Sequence, residues 1–205
     1  MAGILGRKIG MTQIFDEAGL MVPVTIIQAG PCVVTQVKTQ ETDGYEAVQL
    51  GYDEIKEKNT VKARKGVFDK AGTKPRRYLV EFDFSDTDGV KVGDEIKADI
   101  LTEGSMVRVS GVSKGKGFQG TIKRHNFAMA NKTHGQSDRM RAPGSIGQSA
   151  WPSRVFKGMR MAGRMGGDRV TLKNVRVVKV DAENNLVFLK GALPGAKNTL
   201  LEIRK

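Results

Sequence analysis

Between Ser110 and Arg169 the chain has almost nothing from which to build a hydrophobic core. No leucine occurs between Leu101 and Leu172, and from Ser113 to Arg169 the only valine or isoleucine residues are Ile122, Ile146 and Val155. Glycine recurs at 115, 117, 120, 135, 144, 147, 158, 163, 166 and 167. A segment of this kind buries too little apolar surface to offset its chain entropy. The same stretch holds 12 Lys and Arg against two acids, Asp138 and Asp168, which is +10 of the net +12. The other 145 residues carry 22 bases and 20 acids. The chain is therefore a nearly neutral protein with one strongly basic stretch inside it.

A surplus of positive charge points to a polyanion, and nucleic acid and anionic membrane both qualify. No apolar run approaches the roughly 18 to 20 residues that span a bilayer, and the opening MAGILGRKIG has no apolar stretch of signal-peptide length. The expectation is a soluble, cytoplasmic protein without a membrane partner. The basic stretch is also more than a flexible linker. It carries Trp151, Phe118, Phe127 and Phe156, and five methionines at 129, 140, 159, 161 and 165. Lys and Arg meet phosphates, glycine permits close backbone approach, and flat side chains stack on bases, so this composition suits a segment that orders against RNA.

The flanks read as strands. Ile9 to Asp16 and Leu20 to Gln28 are joined by Glu17-Ala18-Gly19, a hairpin-length turn. Cys32 to Lys38 follows Pro31, and Val48, Leu50 and Tyr52 share one face by period two. Asn59-Thr60 can cap a short helix with Ala63, Val67 and Ala71 on one side and Gly72 at its end. Arg77 to Phe84 and Met106 to Val112 return as strands. After the basic stretch come Val170 to Asp181, a turn at Glu183-Asn184-Asn185, Leu186 to Lys190, a break at Leu193-Pro194-Gly195, and Thr199 to Arg204. Many short strands with Gly or Pro turns predict a mainly β chain built on a barrel. Its expected domain is residues 1–112 plus 170–205, with residues 113–169 inserted between two barrel strands as a long irregular basic extension.

Several motifs carry no chemistry. Gly115-Lys116-Gly117-Phe118-Gln119-Gly120 matches the dinucleotide fingerprint, but the fingerprint needs a parallel βαβ unit. Here Thr121 to Asn126 gives barely two turns of helix, and the strand–helix alternation is missing from the whole chain. A dinucleotide-binding enzyme is the rival reading, and cofactor binding by the purified protein would separate the two. His125 and His134 have no Cys or carboxylate at ligand spacing, so zinc is not expected. No nucleophile accompanies either histidine, and Asp138 is expected to pair with Arg139 or Arg141. Cys32, the single cysteine, reads as an ordinary buried thiol. Neither a cofactor nor a metal nor a small-molecule substrate is expected, and the chain does not read as an enzyme.

Five segments carry a resemblance to a known family. GRKIGMTQIF near the N-terminus, SKGKGFQGTIKR (113–124), THGQSDRMRAPGSIGQ (133–148), VFKGMRMAGRMG (155–166) and LKGALPGAKNTLLEI near the C-terminus resemble, in order, segments of the bacterial large-subunit ribosomal protein L-three family. Arg108 departs from that pattern, which usually has an acid or amide there, and related chains can have other residues at Trp151. The resemblance implies a six-stranded translation-factor-type β-barrel with a small α+β elaboration at about residues 45–100. It implies a structural ribosomal protein of the cytoplasm that binds the large-subunit (23S-type) rRNA near its 3′ domain and helps nucleate assembly. The neighbouring ribosomal proteins L-fourteen and L-nineteen would be its protein partners.

Together, residues and resemblance nominate an RNA-binding set: Lys114, Lys116, Lys123, Arg124, His125, Lys132, His134, Arg139, Arg141, Trp151, Arg154, Lys157, Arg160, Arg164 and Arg169. Gly144, Ser145, Gly147, Gln148 and Ser149 would form a tip near the peptidyl transferase centre. Gln148 matches a glutamine that is methylated in some relatives.

Overall fold

The computed structural model of the chain describes residues 3–83 and 89–205. It divides into two compact units, one comprising Met1–Val112 with Arg169–Lys205 and the other Ser113–Asp168. The first unit begins with β1 (Gly3–Phe15), β2 (Met21–Ala29), β3 (Cys32–Lys38), the short α1 (Gln40–Asp43) and β4 (Ala47–Glu54). It continues with α2 (Lys62–Ala71), β5 (Arg76–Phe82), β6 (Glu95–Ile96) and β7 (Met106–Val112). The second unit contains β8 (Phe118–Gln119), α3 (Thr121–His125) and β9 (Gly163–Arg164). The chain then completes the first unit with β10 (Arg169–Asp181), β11 (Leu186–Lys190) and β12 (Leu200–Arg204).

Six strands close into an antiparallel barrel in the order β1-β12-β7-β10-β11-β2. Period two explains the ring. Val107 and Val109, Val175 and Val177, Val187 and Leu189, and Leu201 and Ile203 are each two apart and all buried. Fully burying one such side chain contributes roughly 1.5–3 kcal/mol. The two 13-residue strands bend to close the ring. Register shifts fall between Lys8 and Gly10 on β1, and on β10 between Leu172 and Val175 and again between Val177 and Lys179. Gly111 permits a close approach, because a Cβ there would lie 2.5 Å from Leu201. Lys8 is buried and its ammonium donates to the carbonyls of Leu193 (2.7 Å) and Gly195 (3.2 Å), which fixes the break before β12.

A second antiparallel sheet, β5-β4-β3-β6, adds Val34, Val48, Leu50, Tyr52 and Phe82 to the same apolar core. This α+β part therefore starts at Cys32, earlier than about residue 45. Burial pushes the Cys32 thiol up to about 12, against the lowering effect of its bond to the Leu5 carbonyl, so it is an inert core thiol.

Local expectations need four adjustments. β1 starts at Gly3, six residues before the anticipated Ile9, because Gly3 and Gly6 are close-contact positions and not breaks: a Cβ at Gly3 would sit 2.1 Å from Phe82. Asn59 and Thr60 do not cap α2. Val61 occupies the cap, Asn59 ends a separate single turn, and the buried side chain is Phe68 while Ala63 is exposed. Gly72 does end the helix, in the left-handed region. The strand expected over Arg77 to Phe84 runs Arg76–Phe82, and Phe84 lies outside the described residues.

Candidate nucleic-acid interface

The second unit is held by backbone, not by a core. Of its residues only Thr121 is buried. Its two limbs are laced from the base. Ser113 N–H donates to the Asp168 carbonyl (2.9 Å) and Gly167 N–H to that of Ser113 (3.2 Å). Lys116 N–H reaches the Met165 carbonyl (2.8 Å), and Met165 N–H that of Gly117 (3.0 Å). β8 and β9 then pair, Phe118 with Arg164 and Gln119 with Gly163. The limbs pass so closely that a Cβ at Gly166, whose φ is +72°, would lie 2.1 Å from the Lys114 carbonyl oxygen. All strand pairs among the described residues are antiparallel. The Gly115–Gly120 loop thus opens a two-stranded ladder rather than a dinucleotide-binding unit.

Above the ladder, α3 ends at Asn126 in the left-handed region. Arg124 and His125, at the last turn of α3, converge on one atom. The Arg124 guanidinium donates to the Met161 carbonyl at 2.8 Å, and the His125 Nε2, which must carry the proton to do so, donates to it at 3.0 Å. The sequence nominates both to face RNA, and both spend a donor inside the protein. Sequence reasoning misses this clamp because its acceptor is a backbone carbonyl with no side-chain signature.

The remaining nominated cations are presented outward. Lys114, Lys116, Lys123, Lys132, Arg139, Arg141, Arg154, Lys157, Arg160 and Arg164 are exposed, as is His134, which has a left-handed φ. Among the described residues, no cation of this unit forms an ion pair. Asp138 does not pair with Arg139 or Arg141: the exposed segment has no packing to hold the three side chains together. Arg169 differs. It belongs to the barrel unit as the first residue of β10 and is ion-paired with Glu202.

Two aromatic side chains stand in solvent, Trp151 at 79 % and Phe118 at 77 % exposure. Arg154 lies over the Phe156 ring, 5.7 Å from its centroid. The tip residues Gly144, Ser145, Gly147, Gln148 and Ser149 line an open hollow of about 510 Å³ with Arg154, and the Ser145 hydroxyl donates to the Gly147 carbonyl at 2.9 Å. This assembly offers unpaired cations to phosphates and bare aromatic faces to bases. It holds no nucleophile beside a base.

The comparisons with known proteins agree with this geometry. A family model described as ribosomal protein L3 matches residues 79–185. Proteins named large ribosomal subunit protein uL3 are similar over nearly the whole chain. The one from Cutibacterium acnes is 54% identical over 202 residues, 98% of this chain and 91% of its own length. The one from Chloroherpeton thalassium is 54% identical over 206 residues, 99% of this chain and 98% of its own. That from Herpetosiphon aurantiacus is 54% identical over 203 residues, 99% and 95% respectively. With a closed barrel, a core-free basic extension and this extent of identity, the chain belongs to the ribosomal protein L3 family.

Proposed function

We infer that the chain is a structural constituent of the large ribosomal subunit, acting in the cytoplasm as part of the ribosome and not as an enzyme. In this reading it binds the large-subunit 23S-type rRNA directly near its 3′ domain and helps nucleate subunit assembly. The extension runs inward and brings Gly144, Ser145, Gly147, Gln148 and Ser149 toward the peptidyl transferase centre. Ribosomal proteins L-fourteen and L-nineteen are its neighbours, and Gln148 is its candidate methylation position.

The observation that carries RNA binding is the character of the second unit. Ser113–Asp168 has 11 Lys and Arg against two acids, no ion pair among its described residues, and no aliphatic core. Charge left unpaired on a segment this poor in buried contacts destabilises the free protein by self-repulsion and is relieved by a polyanion. Phosphates supply that relief with release of counterions.

The test is the salt dependence of rRNA binding. Each phosphate neutralised adds roughly −0.7 to −0.9 to the slope of log affinity against log salt. The full chain should show a steep slope, and removal of Lys116 through Arg164 should flatten it. An unchanged slope after that deletion would reject the second unit as the contact surface.

A further inference from the structure

The barrel unit has its own concentration of positive charge, around Arg108. Val107 and Val109 on β7 are buried in the barrel, so Arg108 between them points outward and is exposed. β7 lies between β12 and β10. On β12 the residue directly opposite Arg108 is Arg204. On β10, Leu172 pairs with Val109 and Val175 with Val107, so one extra residue is inserted and both Lys173 and Asn174 stand opposite Arg108. Three adjacent strands thus set Arg204, Arg108 and Lys173 side by side, with Lys205 next along the chain.

These side chains line a pocket of about 180 Å³ together with Met106, Val107 and Asn174, and among the described residues no acid lines it. Of the row, only Arg204 reaches a carboxylate among the described residues: Asp83 at 3.6 Å, and at 3.7 Å Glu202, which Arg169 also holds. Arg204 also lies over the Phe82 ring, 5.0 Å from its centroid. Arg108, Lys173 and Lys205 form no ion pair among the described residues. Like charges directly opposite one another destabilise a sheet. Asn174 adds a non-glycine residue at φ 57°, in the left-handed region. Among the described residues only Arg204 of this row has a carboxylate partner, and the repulsion left at Arg108 and Lys173, beside the left-handed turn at Asn174, is relieved by an anion that binds there.

We propose that this pocket holds a single backbone phosphate of RNA, with Arg108 and Lys173 as its paired donors, the Asn174 amide as a neutral donor and Lys205 at the rim. It is a second RNA contact, separate in sequence from the extension, and it rests on reading the chain as an rRNA-binding protein. At roughly 30 Å³ per water in the liquid, the pocket has room for a phosphate group and bridging waters. An acidic protein segment would need apolar anchoring as well, and of the apolar residues lining the pocket Met106 is exposed while Val107 is buried.

The test compares the full chain with R108Q, K173Q and the double variant R108Q/K173Q, using large-subunit rRNA and its phosphate-ethylated form. For the double variant, the salt slope should shrink by about 0.7–0.9, the contribution of one phosphate. One ethylation-sensitive phosphate of the wild-type complex should become insensitive, while the others keep their sensitivity. The unfolding midpoint of the double variant should be no lower than that of the wild type, since the repulsion is relieved. An unchanged slope and interference pattern would overturn the proposal, as would a clear drop in the midpoint, which would give the cations an internal structural role. Unchanged RNA binding with loss of a ribosomal protein from reconstituted subunits would also overturn it, in favour of a protein partner. Failure of the wild-type chain to bind rRNA would instead remove the functional reading itself, and the two failures are distinguishable.

Discussion

β7 carries Val107 and Val109 into the barrel, and both are buried; Ser113–Asp168 offers Ile122, Ile146 and Val155 and buries none of them. The first unit is ordered by apolar contact between strands distant in sequence, with β1 pairing to β12 at the other end of the chain. The second is ordered by rungs of backbone hydrogen bonds at its base and by a two-donor clamp on Met161. A net hydrogen bond contributes only about 0.5–1.5 kcal/mol, whereas a barrel side chain such as Ile203 contributes more through burial. Cooperative stability therefore belongs to the barrel, and the extension opens locally at far smaller cost. That division suits a protein that must present a stable platform and an adaptable limb to one large partner.

The largest effect that separates the two units is in the core. Leu201→Ala or Ile203→Ala should cost about 2–5 kcal/mol, because both side chains are fully buried and their removal leaves a cavity. Phe118→Ala in the extension should stay within about 0.5 kcal/mol, since that ring is exposed. Urea unfolding followed by a barrel signal measures both. Equal losses would show that the extension is part of the cooperative core.

A smaller and more local effect is expected at Gly166. Its φ of +72° and the 2.1 Å approach of the Lys114 carbonyl leave no place for a Cβ. Gly166→Ala should cost about 1–3 kcal/mol, read as faster amide exchange at Lys116 and Met165 with the barrel midpoint unchanged. Gly144→Ala is the control: its φ is also positive, but nothing lies within 4 Å of the added carbon. Equal exchange at the ladder in both variants would remove the claim that close packing of the limbs sets the base.

Smaller again is the clamp. Arg124→Ala and His125→Ala each remove one donor from the Met161 carbonyl, worth about 0.5–1.5 kcal/mol. In the free protein, limited proteolysis should cut first between Lys123 and Arg164 and leave the barrel whole. Both substitutions should speed that cut, while amides of Val175 to Val180 stay protected. Cleavage of the barrel at a comparable rate would contradict the division between the units.

How much of this can be read from the residues depends on which physical signal each part leaves. The barrel strands announce themselves by alternation, as at Val107 and Val109 or Leu201 and Ile203. The closure of the ring does not, because the pairing of Gly3 with Arg204 joins positions that no local pattern connects; the six-stranded form comes from the family resemblance. β1 reads too short because Gly3 and Gly6 look like breaks until the side chains packed against them, Phe82 and Ile27, are seen. In the extension, charge and lack of aliphatic residues are legible at once. The inward use of Arg124 and His125 is not, since the sequence marks cations and says nothing of carbonyls. The β10 bulge opposite Arg108 is hidden for the same reason: it is a matter of register between strands.

The smallest effect on folding, and the most informative about function, is expected at the tip. Residues 141–150 are exposed throughout, so Ser145→Ala, Gly147→Ala and Gln148→Ala should each leave stability within about 0.5 kcal/mol of the wild type. Ser145→Ala loses one hydrogen bond, to the Gly147 carbonyl. Gly147 has space, since the nearest atom to an added Cβ, the Arg154 carbonyl oxygen, is an ordinary 3.6 Å away. Any change in behaviour must then arise in the complex with RNA. If the tip sits beside the peptidyl transferase centre, its small side chains act through the packing of RNA bases, and enlarging or truncating them shifts those bases. Subunits carrying the variants should assemble normally and yet differ in the rate of peptidyl transfer or in sensitivity to drugs of that centre. Gly166→Ala at the base should instead lower the yield of assembled subunits. Subunit profiles and peptidyl transfer assays on both sets decide the matter, and tip variants equal to wild type in rate and drug response would end the proximity claim for this chain.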